Sequence, residues 1–178
     1  KESDAVKILN HSKVIGDVMA GATSSISFSG DSVNPETQTK LAPAELTALP
    51  GIHIPASAKP LTSVLSPSQA SVDSKGNVKF TNASATLPAG TYQTAGERTL
   101  KESDVQTNGE VNLFVNGSLT VTKSLLLGQE PSLPQTDFYP ANLKVFITPQ
   151  DEEDRVLIEK GSMLAGVLYA PGVPVYLK

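Results

Sequence analysis

The chain has 178 residues, a formal net charge of −4 and 18% charged residues, enough length for one domain that removes about 70% of its unfolded surface from water. Cysteine is absent, which excludes a disulfide framework, a thiolate metal site and a thiol nucleophile. Mixed charge without any Lys/Arg cluster argues against nucleic acid, and no run of about 18 apolar residues is present to span a bilayer.

From Ala5 to Gly30 the apolar residues come in runs of three or four (Val6 to Leu9, Lys13 to Ile15, Val18 to Ala20, Ile26 to Phe28), cut by Asn-His-Ser, Gly-Asp and Gly-Ala. Such runs predict short strands turning at close intervals. Between Ser32 and Ser68 prolines stand at 35, 43, 50, 55, 60 and 67. Each removes a backbone donor and fixes φ, so residues 32–68 are predicted to form a Pro-rich excursion rather than a central strand. A helical turn from Pro43 to Leu49 is allowed within it, and Ile52, Ile54, Leu61, Val64 and Leu65 are the residues available to pin it to the body.

Asp73-Ser-Lys-Gly76 predicts a turn between short strands, and Ala85 to Tyr92 is an apolar run interrupted by Pro88 and Gly90. Val111–Val115, Asn116-Gly117 and Ser118–Thr122 together predict a β-hairpin, with Leu119 and Val121 on one face. Ser124 to Gly128 reads as a short edge, and Glu130 to Pro140 as a second proline-bearing loop. Leu143–Ile147, Val156–Ile158, Met163–Tyr169 and Val173–Leu177 then predict further short strands. The fold class is all-β, built from coils that stack to bury an inward face. Lys-Glu-Ser-Asp occurs at 1 and again at 101, with little similarity around it, and reads as coincidence. The abrupt start and finish suggest a piece of a longer chain.

Catalytic and binding candidates are few. Asp151-Glu-Glu-Asp154 offers oxygen ligands of the type Ca²⁺ takes, but consecutive carboxylates cannot all converge, and a solvated loop is the plainer reading. Gly16-Asp-Val-Met-Ala-Gly21 has two glycines of a phosphate loop without the Lys-Ser/Thr that would follow. His11 and His53 are the only histidines, and alternation puts His53 opposite Ile52 and Ile54, toward water. Asp104 with Glu110, or Asp17 with Asp31, are carboxylate pairs of the kind that cleave glycans. Asn10, Asn82 and Asn116 begin Asn-x-Ser sequons, Asn116 being better explained by its turn. Tyr92, Tyr139, Tyr169 and Tyr176 fall at loop or strand ends.

The succession Leu87-Pro-Ala-Gly-Thr-Tyr92, Gly109 to Val121, Asn142 to Ile147, Val156-Leu-Ile158 and Gly166-Val-Leu-Tyr-Ala-Pro171 resembles a β-rich domain of bacterial envelope proteins, many of them PilX-like and associated with type IV pilus assembly. His11 to Val18 and Leu49 to Pro55 are similar to it as well, so the likeness covers most of residues 1–178. It implies a single-stranded right-handed parallel β-helix-like body, distantly similar in texture to bactofilins and lying outside the inner membrane. The resemblance carries no catalytic, cofactor or metal residues with it.

The expected function is a non-enzymatic structural or interaction module of the cell envelope or pilus apparatus. It would meet protein partners or its own copies, with the C-terminal coil from Val167 to Leu177 as the expected docking place. The alternative from another class is a glycan-binding adhesin using Tyr139 or Tyr92, and the third a polysaccharide lyase or hydrolase.

Overall fold

A computed structural model describes residues 4–9, 17–20, 25–28, 37–40, 52–129 and 139–178. The strands are β1 (Asp4–Ile8), β2 (Asp17–Ala20), β3 (Ser25–Phe28), β4 (Thr37–Lys40), β5 (Lys59–Pro60), β6 (Ser71–Val72), β7 (Val78–Thr81), β8 (Ser84–Gln93) and β9 (Arg98–Lys101). They continue with β10 (Asp104–Asn116), β11 (Leu119–Thr122), β12 (Leu125–Leu127), β13 (Leu143–Thr148), β14 (Val156–Ile158), β15 (Met163–Ala165), β16 (Val167–Tyr169) and β17 (Val175–Leu177). Among the described residues the only helical segments are single 3-10 turns at 61–64 and 140–142, so the class is all-β.

Nearly every pairing is parallel. The first sheet runs β3-β1-β17-β14-β11-β9-β7-β6, with only the β6–β7 pair antiparallel. That pair is the predicted turn at 73–76, held by the Asp73 carboxylate, which accepts from the Lys75 and Asn77 amides. In the second sheet the first half of β10 lies between β8 and β12, and its second half between β8 and β13. β12 then pairs with β15, and β13 with β16. β8 and β10 change direction together where their register shifts between Asn108 and Val111. Gly109 takes φ +94° at this bend, and a Cβ there would sit 3.1 Å from that of Ala89. Pro88 is tolerated in β8 because no strand among the described residues pairs with it on the side away from β10.

Registration aligns inward side chains in rows. Val78, Arg98, Leu119, Val156, Val175 and Val6 occupy one row of the first sheet, and Phe80, Leu100, Val121, Ile158, Leu177 and Ile8 the next. Across the core they face Ala85, Leu87, Val105, Leu113, Val145 and Ile147 of the second sheet. The strict alternation of β13, whose Leu143, Val145 and Ile147 are fully buried, shows the period-two pattern at work. Leu61, also fully buried, with Val64 and Leu65 packed nearby, pins the end of the Pro-rich segment to this core.

Two expectations are corrected. The Asn116-Gly117 hairpin does not form: β10 and β11 lie in different sheets. A type I′ turn needs positive φ at both central residues, and only Gly117 has it, at +100°. The chain instead turns a corner, and the Gly117 amide donates to Thr148 O at 2.9 Å. Nor is 125–127 an edge, since β12 is paired on both sides. Of the C-terminal coil expected as a docking place, β17 lies between β14 and β1, with the Leu9 amide donating to Leu177 O at 2.8 Å, whereas β16 pairs only with β13 among the described residues. The helical turn expected at 43–49 and nearly all of the 130–140 loop lie outside the described residues.

Candidate functional site

The corners between the two sheets share one local device. Asn82, Glu102 and Lys123 have φ of 49°, 50° and 46°, and Gly161 has φ 77°. At three of these corners the next residue is serine. The Ser103 hydroxyl donates to Lys101 O and accepts from the Ala83 amide. The Ser124 hydroxyl donates to Thr122 O and accepts from the Ser103 amide, and the Ser162 hydroxyl accepts from the Ser124 amide in turn. A left-handed residue turns the chain, and the serine after it satisfies the amide that the corner removes from the ladders. Sequence reading passed over this signal because successive corner serines lie 21 and 38 residues apart, too irregular for a visible repeat.

Of the predicted carboxylate pairs, Asp104 and Glu110 are not brought together. Asp104 opens β10, whereas Glu110 lies past the bend and accepts from Lys144 Nζ at 2.7 Å. That hydrogen bond and the lysine's charge hold the Glu110 carboxyl below its ordinary range. Asp31 and the Asp17 side chain lie outside the described residues.

The acidic loop is not simply solvated. The Asp154 side chain is buried and accepts from the Gln150 amide at 2.6 Å, the Asp151 amide at 3.0 Å and the Ser118 hydroxyl at 3.0 Å. Burial pushes its carboxyl up, but the three hydrogen bonds together outweigh it and leave the carboxyl below the usual range. Asp154 therefore closes its own loop onto the preceding corner. Among the described residues no three His, Asp or Glu side chains stand where they could share a metal ion. No helix among them is long and apolar enough to cross a membrane.

Residues 17–20, at the centre of the glycine-flanked segment, are extended in β2 and pair with β4. His53 is exposed, as alternation with Ile52 and Ile54 predicts, while His11 lies outside the described residues. Tyr92 is a core residue, 3% exposed, with its hydroxyl donating to Pro88 O at 3.0 Å. It has no face left for a sugar, which removes it as an adhesin platform; Tyr139 is 45% exposed. Of the sequons, Asn82 forms a corner and Asn116 ends β10 with its side-chain oxygen held by the Thr148 hydroxyl. Asn10 lies outside the described residues.

Three features had no counterpart in the sequence reading. Arg98 is fully buried in the row between Val78 and Leu119, its guanidinium 4.6 Å from the Phe80 ring centre and without a hydrogen-bond partner among the described residues. On the outer face of the second sheet Phe114, Phe146 and Tyr169 line up across β10, β13 and β16. The two Phe rings stack at 4.8 Å and Tyr169 meets Phe146 edge-on at 6.2 Å. Beside them, past the bend, lies a groove of about 390 Å³ over β8, β10 and β12, lined by Ser84, Thr86, Asp104 and Gln106 and bordered by Gln69. No family model, no curated protein and no solved structure matches the chain.

Proposed function

We propose that the parallel ladders are successive windings of a right-handed parallel β-helix. We further propose that the chain is a non-enzymatic structural or interaction module of a bacterial cell envelope, working with the type IV pilus apparatus outside the inner membrane. The continuous inward row from Val78 to Val6, in which the N-terminal strand stacks on the C-terminal one, supports the β-helix, and the resemblance carried by 87–92, 109–121, 142–147, 156–158 and 166–171 supports the envelope and pilus setting. Short strands stacked in parallel gain their stability from neighbours on either side, and a right-handed path between parallel strands is the strongly preferred one. Such a body offers outer faces of fixed shape rather than a mobile cleft, which suits a scaffold that meets protein partners or its own copies.

Deleting the gene and counting surface pili and adherent cells tests this role, with the intact chain and the core variant Val121→Asp as complements. Piliation or adhesion should fall on deletion and return only with the intact chain. Cells whose pili, adhesion and envelope integrity do not change would refute it.

A further inference from the structure

The groove over β8, β10 and β12 is open on its outer side, and its polar side chains are unspent. Among the described residues, Ser84, Thr86, Asp104 and Gln106 have no side-chain hydrogen-bond partner. Gln69 uses its carbonyl oxygen on Ser66, leaving the amide NH₂ free at the groove's rim. By contrast, polar side chains at the corners, such as Ser103, Ser124 and Thr148, are hydrogen-bonded. The free groups stand in ordered positions: Ser84 beside Asp104 and Thr86 beside Gln106 across one strand pair, the two pairs offset by two residues. Adjacent strands are about 4.8 Å apart and residues two apart about 6.7 Å, a spacing on the scale of one sugar ring. Leu125 and Leu127, the neighbours of Asp104 and Gln106 on β12, give the groove an apolar flank.

The chemistry selects among occupants. β10 and β12 are paired on both sides, so their amides and carbonyls are committed sideways; the open strand edge bordering the groove among the described residues is that of β8 at 84–88, where Pro88 offers no amide to an added peptide strand. The lining holds one carboxylate and no Lys or Arg, which disfavours phosphate, sulfate and uronate polymers. Donors and acceptors in alternation beside an apolar strip match a chain with hydroxyls along one edge and C–H groups on its face. We infer that this groove is a binding site for a neutral or amino-sugar-containing glycan, with Thr86, Asp104 and Gln106 reading hydroxyl or amine groups and Leu125 underlying a ring. The site is independent of any role in piliation.

The test is titration of the intact chain with neutral, amino-sugar and uronate-containing oligosaccharides by calorimetry and by amide chemical shifts. Thr86→Ala, Gln106→Ala and Asp104→Asn are compared, with Glu152→Ala, an exposed residue between β13 and β14, as a control away from the groove. Binding of a neutral or amino-sugar chain, weakened about tenfold by each groove variant and unchanged in the control, is the expected result. Unchanged melting temperatures would show that the variants fold. No binding at millimolar glycan, preference for the uronate chains, binding indifferent to the groove variants, or binding of extended peptides at this groove instead would each overturn the inference.

Discussion

Arg98→Met is expected to make the protein more stable. Burial pushes the Arg98 guanidinium down to about 9, from an ordinary value above 12. At 1.36 kcal/mol per pH unit, that drop holds about 4–5 kcal/mol against the charged side chain. The contact with the Phe80 ring returns up to about 2 kcal/mol, so an apolar side chain of similar length gains about 2–3 kcal/mol at neutral pH. With a urea slope of about 2–3 kcal/mol per molar for a chain of this size, the midpoint should rise by roughly 1 M. The sign of the pH dependence follows from the depressed value: below about 9 Arg98 is charged in both states and the native state carries the whole penalty. As pH rises past that point the unfolded chain binds the extra proton, wild-type stability gains, and the advantage of Arg98→Met shrinks. Adding Phe80→Leu in both backgrounds completes a double-mutant cycle whose coupling reports the ring contact. Loss of more than about 1 kcal/mol in Arg98→Met, or an advantage that does not shrink above the titration point, would show that Arg98 has a partner and that the reasoning fails.

The corner geometry predicts opposite signs for two substitutions. Glu102→Gly, at φ 50°, should be neutral or stabilising by up to about 1 kcal/mol, whereas Gly109→Ala, at φ +94° and close to Ala89, should cost about 1–3 kcal/mol in thermal or urea melts. Asp154→Asn should lose about 1–2 kcal/mol at neutral pH, because the carboxylate's hydrogen bonds are charge-assisted. Since the folded carboxyl lies below its unfolded value, that stability is present above the ordinary carboxylate range and is lost as pH falls through the folded value, so variant and wild type should converge in acid. Ile8→Ala, at a fully buried position, should cost about 2–4 kcal/mol and speed hydrogen exchange at the Leu9 amide. No cost would mean that β1 does not stack on β17 in solution.

Much of the candidate surface was invisible beforehand for a definable reason. Thr86 and Gln106 are twenty residues apart and become neighbours only through the β8–β10 register. Arg98 begins a run, Arg98-Thr-Leu-Lys101, that reads as surface until registration sets it between Val78 and Leu119. The second Lys-Glu-Ser-Asp, at 101–104, proves to be one of the serine corners, with Glu102 turning the chain and Ser103 bonding across it.

By itself the sequence determined the all-β class, the 73–76 turn, the anchoring of the Pro-rich segment through Leu61 and the shared face of Leu119 and Val121, because alternation and turn chemistry act within a few residues. Tertiary structure decided which strand lies beside which: β10 against β8 rather than β11, and β1 against β17 at the opposite end of the chain. Alternation states which side chains point inward but leaves every strand's lateral hydrogen bonds open to any partner of matching pattern. Only the packing of whole rows against one shared core discriminates among those partners, and the groove, the aromatic stack and the buried arginine are products of that choice.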